Sequence, residues 1–296
     1  MIGRCLYTAM LILYAGSATV SVADDGAVTR QKRFIRELFS EKRFFDAIAE
    51  TKRLRSMDSR SGSRAEYDFF IDINYFMGGQ YRSVVKNIIG RPGPFDVRSR
   101  VLLSQSYLRQ GMSALSLRAV RTIGYGEAAG PLRYRLLARK AEAFAACGMY
   151  RELAAEAAAA EPYVPEREMV ELLRVEAGRH AALQRTSVPL AVALSVFIPG
   201  AGQMYAGRYI SGITSFLGIA AMAGGAVLFY RGGRRELSYT FIFFSSLLYL
   251  GNIYGAFNAA QAANEDRERE FRESLGRRCI PAYDPEAEVR DNEVFR

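Results

Sequence analysis

The residue types that most often do chemistry are scarce in this chain. It has one histidine, His180, no tryptophan, and three cysteines at positions 5, 147 and 279. A Ser-His-Asp triad or a histidine-based metal site would have to hang on that single imidazole, which falls in a helix-like run from Glu176 to Gln184. The cysteines form no C-x-x-C and no ligand pair, which excludes an iron–sulfur site and a disulfide scaffold. The residues therefore predict no catalytic group, no metal site and no cofactor.

Two other constellations have a spacing with physical meaning. The first is the segment Pro199-Gly200-Ala201-Gly202-Gln203-Met204-Tyr205-Ala206-Gly207, with a further glycine at Gly212. Its glycines let backbone approach backbone, and Pro199 stops one helix so that another can start. Gln203 and Tyr205 can satisfy the backbone groups thus freed. Asn252, Asn258 and Gln261 follow in an apolar stretch. They read either as a polar seam for a substrate or partner helix, or as a hydrogen-bonded helix interface. The second constellation is a set of arginines, Arg36, Arg98, Arg109 and Arg135, interleaved with Phe69, Ile73 and Phe76. The planar guanidinium fork suits carboxylates.

The elements that position the arginines are helical. Residues 30–185 are rich in Ala, Leu, Arg and Glu, with apolar residues recurring at three and four. Breaks fall near Ser59–Gly62, Gly90–Pro94, Gly124–Pro131 and Pro162–Pro165, about the period of a helix–turn–helix repeat. Aligning the segments makes Phe44, Tyr81, Ser113 and Tyr150 equivalent, at spacings of 37, 32 and 37 residues. Six residues before each stands Leu38, Tyr75, Tyr107 or Phe144, and Gly79, Gly111 and Gly148 precede three of the turns. The pattern resembles the tetratricopeptide repeat family, with about four degenerate units over residues 28–165. A small residue expected inside each first helix is present as Ser104 and Ala141 but is Ile35 and Asp72 in the first two units. The resemblance implies a solenoid of helical hairpins whose first helices line a concave face, here carrying Lys32, Arg36, Phe69, Ile73, Phe76, Arg98, Gln105, Arg109 and Arg135. The helix 166–185 would cap the stack or lead into a membrane.

Charge is unevenly spread. Residues 29–140 hold 23 Lys/Arg against 10 Asp/Glu, residues 142–185 hold 5 against 8, and the tail from Asn264 holds 7 against 10. A basic half of this kind suits an acidic partner or an anionic surface. Equally, only five of the 40 cations are lysine, the mark of a general preference for arginine.

The chain ends are read from hydropathy. Met1–Arg4 is a positive start, Cys5–Ala15 an apolar core, and Ser21-Val22-Ala23 a small-residue site before Asp24-Asp25, which together read as a signal peptide over 1–23. An uncleaved anchor is the alternative. Residues 24–185 form the exported domain. Three uncharged stretches follow, Thr186–Gly207, Tyr209–Tyr230 and Leu237–Asn264, each long enough to span a bilayer. Pro189 and Pro199 cut the first to a half-helix over 188–198, and Arg231, Arg234 and Arg235 mark a cytoplasmic loop. This predicts a membrane domain over 186–264 with spans at 209–230 and 238–262, and a polar tail over 265–296. The Pro-Gly-x-Gly-Gln-x-Tyr-x-Gly connector resembles the two-transmembrane (TM-two) superfamily of membrane hairpins, whose second span often carries an acid where Asn252 stands here.

The expected architecture is all-α: a helical-hairpin solenoid followed by a transmembrane hairpin. The expected function is non-enzymatic. An envelope scaffold in the cell membrane, by default the inner one, presents its repeat domain and C-terminus on the periplasmic side and binds another envelope protein. The other reading is a subunit of a membrane transport, insertion or secretion complex that uses the polar seam. Export argues against nucleic acid as the partner of the basic half.

Overall fold

The computed structural model describes residues 25–58, 63–92 and 95–290. The expected signal peptide, Cys5, and the Ser59–Gly62 break lie outside the described residues. Fourteen α-helices and no strand are found among the described residues. The chain divides into two compact units, Met1–Ala143 with Ala282–Arg296, and Phe144–Pro281.

The first unit contains α1 (Asp25–Ser40), α2 (Phe44–Met57), α3 (Arg64–Met77), α4 (Tyr81–Ile89), α5 (Val97–Arg109), α6 (Ser113–Arg121) and most of α7 (Pro131–Ala146). Neighbours in sequence pack on one another, α1 on α2 through to α5 on α6. Helix α8 (Tyr150–Ala160) follows in the second unit. The residues aligned as Phe44, Tyr81, Ser113 and Tyr150 are the first residues of α2, α4, α6 and α8. Each is entered through the same turn. Lys42, Gly79, Gly111 and Gly148 are left-handed, with φ of 60°, 73°, 74° and 70°. The next N–H donates five residues back, Arg43 to Leu38 (2.9 Å), Gln80 to Tyr75 (2.8 Å), Met112 to Tyr107 (2.9 Å) and Met149 to Phe144 (3.0 Å). This is the glycine-closed helix end in which an orphan carbonyl is satisfied by the reversing chain.

The positions expected to be small, Ile35, Asp72, Ser104 and Ala141, are all fully buried. Ser104 Oγ hydrogen-bonds Ser116 Oγ at 2.7 Å. Asp72 departs furthest from the pattern, and its charge is met: Arg91 donates to it at 2.5 Å and Asn87 at 3.2 Å. Burial still pushes its carboxyl up to about 6, with Arg91 and Asn87 pulling the other way.

Two apolar clusters lie in this unit among the described residues. Val28, Ile35, Leu38, Ala47, Leu54, Tyr67 and Phe70 form one. Phe69, Ile73, Phe76, Val84, Ile88, Leu102 and Leu103 form the other. Helix α3 contributes to both, which is why Phe69–Asn74 is buried without interruption. Burial of a side chain of this size stabilises by about 1.5–3 kcal/mol.

The second unit contains α8, α9 (Arg167–Arg179), α10 (Val188–Phe197), the short α11 (Ala201–Tyr205), α12 (Tyr209–Arg231) and α13 (Arg235–Cys279). Ser187 caps α10, its hydroxyl accepting from the Leu190 N–H at 3.4 Å. Pro189 sits in the first turn of this ten-residue helix, where its missing N–H costs nothing. α12 and α13 are long and apolar enough to cross a membrane. α13 does not stop where the apolar stretch ends. It runs 45 residues to Cys279, so the first half of the expected polar tail is helix. Cys279 is buried at the end of that helix.

Candidate functional site

In the first unit two of the expected binding residues, Phe76 and Arg135, meet the C-terminal segment of the same chain. Residues 282–290, beyond the end of α13, pack on α3 and α7. Their own helix, α14 (Pro285–Arg290), is six residues long. Asp284 caps it by accepting from the N–H groups of Glu286 (2.9 Å) and Ala287 (3.1 Å). The Tyr283 ring meets Phe76 edge-on, with centroids 5.4 Å apart. The Arg139 guanidinium lies over that ring, 5.6 Å from its centroid. Glu288, only 1% exposed, is paired with Arg135 at 3.5 Å. Val289 packs against both apolar clusters.

The electrostatics follow from this burial. The Tyr283 hydroxyl is pushed well above its usual value by burial and then by the Glu288 carboxylate. Arg139, 3% exposed, is lowered by burial, with the Glu142 carboxylate opposing. Glu142 accepts from Arg139 at 2.7 Å and from Gln105 at 2.8 Å. Burial, the largest single influence, draws Arg98 down, but its pairing with Glu66 and the fields of Asp96 and Glu288 together give a net rise.

The structure thus brings Phe76, Arg98 and Arg135 to one surface. Phe69 lies beneath it, buried in the second cluster with the Arg98 guanidinium 4.9 Å above its ring. Ile73 and Gln105 are buried as well. Arg36 and Arg109 are exposed and stand outside this set. Sequence reasoning missed Arg139, Tyr283 and Glu288. Two signals were readable: Arg139 is one helical turn from Arg135, and Asp284-Pro285 is a helix start, a capping acid followed by proline at the first position.

The second constellation is a close-packed corner of the membrane-type helices. Gly200 has φ +83°, and a Cβ there would collide with the Gly212 backbone. A Cβ on Gly212 would stand 2.6 Å from the Gly200 carbonyl oxygen. One on Gly202 would strike the Ala191 carbonyl, and one on Gly255 would lie 2.7 Å from Gln203 Nε2. Pro199 precedes this crossing, and Gly207, φ +86°, makes the turn into α12. Asn252 is buried and bonds the connector twice: its Oδ1 accepts from the Gly200 N–H at 2.7 Å, and its Nδ2 donates to the Ser195 carbonyl at 3.0 Å. Ser195 Oγ accepts from the Gly202 N–H at 3.0 Å. Gln203 is buried against Ser215, 3.3 Å away. The Tyr205 hydroxyl accepts from the Ser187 N–H at 3.3 Å.

Asn264, three turns along α13 from Asn252, repeats the device. It accepts from the Thr186 N–H at 2.8 Å and donates to the Thr186 carbonyl at 2.9 Å. Sequence reasoning took Asn264 only as the end of the apolar stretch. Asn252, Ala256, Ala260 and Asn264 recur at fours, so one stripe of α13 carries both amides.

His180 is tied into the second unit. Its Nε2 lies 3.0 Å from Glu268 Oε2, and its ring stacks on Tyr150 and Phe271, with centroids 4.2 and 5.3 Å away. Burial raises Glu268, but the hydrogen bond and field of His180 lower it further, for a net fall. The contact fastens the extension of α13 to α8. Cys147 and Cys279 are both free thiols, and burial pushes Cys279 up to about 11. Compared with known proteins, the chain matches no family model, no curated protein and no solved structure.

Proposed function

We propose that this chain is a non-enzymatic, membrane-anchored scaffold of the cell envelope whose first helical unit binds another protein. The observation that carries the reading is the occupied surface of α3 and α7: an acidic segment with one aromatic residue is held there by Arg135, Arg139 and Phe76. A surface that holds one such segment has the groups to hold another. The periodic turns and their resemblance to tetratricopeptide repeats support a peptide-binding role for the first unit. The connector and its resemblance to the TM-two superfamily support an anchoring role for α10–α13.

Topology is supported by chain continuity. Residues 282–290 share a compact unit with the residues before α7 ends, so any membrane crossed between them is crossed an even number of times. The pair α12 and α13 supplies two crossings, with Arg231, Arg234 and Arg235 on the cytoplasmic side. The transport or secretion reading relies on Asn252 as part of an open seam. That amide is spent on Gly200 and Ser195, which favours the anchor.

The test has two arms. Reporters that require export are fused after Arg185, within Arg231–Arg235 and after Arg296, and should be active, inactive and active respectively. A photo-crosslinking residue placed at Arg98 in intact membranes should trap a protein adduct, weakened by Arg135→Glu. An export-active fusion in the arginine loop overturns the topology, and absence of any adduct overturns the scaffold.

A further inference from the structure

We infer that the surface of α3, α5 and α7 is a peptide-binding groove for a segment carrying an aromatic residue and a glutamate five positions later, and that Tyr283–Glu288 is its resident, displaceable occupant. The inference rests on the reading that the first unit binds a protein, and names what that protein must present.

Three observations separate a docked ligand from an ordinary piece of core. First, the segment is joined to the rest of the chain by non-helical residues 280–284, after the helix ends at Cys279. Second, α14 has only six residues, too few to persist without the surface it lies on. Third, its contacts are those of a recognised peptide: an aromatic anchor in contact with Phe76 and Arg139, a buried carboxylate at Arg135, and a small apolar contact at Val289.

Charge makes the match specific. Residues 282–296 hold five Asp/Glu and two Arg, against the strongly basic residues 29–140. Glu288 is the acid that matters, because it is buried, and a buried carboxylate is tolerated only opposite a cation. Asp284 and Glu286 are exposed and tune encounter more than fit. A partner segment with the aromatic and the glutamate at this spacing would make the same contacts and would have to displace the tail. Because the tail is covalently attached, its effective concentration is high, so only a partner that binds better or is locally abundant opens the groove.

The probe is a fluorescent peptide of residues 282–296, added to detergent-solubilised protein and followed by anisotropy. A chain ending at Pro281 should bind it saturably, and the intact chain at least tenfold more weakly. Peptides with Tyr283→Ala or Glu288→Gln should bind the shortened chain at least tenfold more weakly than the native peptide. Arg135→Glu in the shortened chain should abolish capture of the native peptide and restore it for the Glu288→Lys peptide. Because removal of the tail could unfold its surface, the full-length Glu288→Lys chain is the second variant, and it should bind the native peptide as the shortened chain does. The inference is overturned if neither opened chain binds the peptide, if the altered peptides bind equally well, or if the intact chain binds as tightly as the opened ones. A tail seated on a second copy would appear as a dimer of intact chain dissolved by the peptide, which overturns self-occupancy. If the peptide binds as stated but cross-linking in membranes traps no protein, the groove stands and the scaffold reading falls. The reverse outcome places the partner on another face.

Discussion

At Gly111, between α5 and α6, and at Gly207, before α12, the chain makes the same turn. Both glycines are left-handed, and the following N–H donates five residues back, Met112 to Tyr107 and Arg208 to Gln203, each at 2.9 Å. The packing on either side is opposite. Around Gly111 the helices are separated by full-sized side chains such as Leu102 and Leu117. Around Gly207 the buried residues are small or polar, Ala191, Ser195, Gly200, Gly202, Gln203 and Asn252. The large apolar residues face outward, Phe197 and Ile210 more than 80% exposed. One unit follows the rule for water, in which apolar side chains fill the interior. The helices around Gly207, two of which are long and apolar enough to cross a membrane, have the arrangement that suits lipid, in which outward leucines cost nothing and association comes from close backbone contact and buried hydrogen bonds. A shared local turn therefore says nothing about the solvent a helix pair is built for.

The largest expected effect tests that contrast at its sharpest point. Gly202→Val puts atoms where the Ala191 carbonyl stands, so it should cost more than about 4 kcal/mol or abolish the folded corner. Gly111→Ala meets only the strain of a left-handed backbone and should cost about 1–2 kcal/mol. Thermal unfolding of the two purified variants, read by helical circular dichroism, checks the ordering. Equal losses would mean that the membrane-type corner is no more tightly packed than the first unit.

A smaller effect separates the regions by pH. Burial raises Asp72 in the folded state from 3.8 to about 6. Between those values the folded chain holds a proton that the unfolded chain has released, so stability falls as pH rises through this window. The loss should amount to about 2–3 kcal/mol and level off above about pH 7. Stability at pH 4.5, 5.5 and 6.5 should therefore slope downward in the native chain and less steeply in Asp72→Asn. Parallel slopes would assign the pH dependence elsewhere.

The smallest expected effect concerns a turn of the first unit that, alone among the described residues, is left-handed without glycine. Lys42 adopts φ 60° where the equivalent residues are Gly79, Gly111 and Gly148. Lys42→Gly should relieve backbone strain and stabilise the first unit by about 1 kcal/mol, reduced by the greater freedom of glycine in the unfolded chain. A chemical-denaturation midpoint unchanged or lowered by this substitution would show that the lysine is already accommodated.

Local regularities were legible in the residues. The alignment of Phe44, Tyr81, Ser113 and Tyr150 marks four helix starts because a reversing helix end needs a left-handed residue and the same carbonyl each time. The length of α10 follows from Pro189 and Pro199, and the closeness of Gly200, Gly202 and Gly212 from the absence of Cβ atoms. The all-α class and the two long apolar helices come from periodicity and hydropathy, which are properties of short windows. Folding decided what depends on residues far apart in the chain. Arg135 meets Glu288 across 153 positions, whereas Arg36 and Arg109, similar in composition and period, stay exposed. Asp72 is buried because Asn87, on the second helix of the same hairpin, and Arg91, just after that helix, reach it. Asn252 and Asn264 serve as backbone partners because α10 and the connector lie along one stripe of α13. The physical reason is common to these cases: a polar group in the interior is tolerated only with a partner, and no short window of sequence contains that partner.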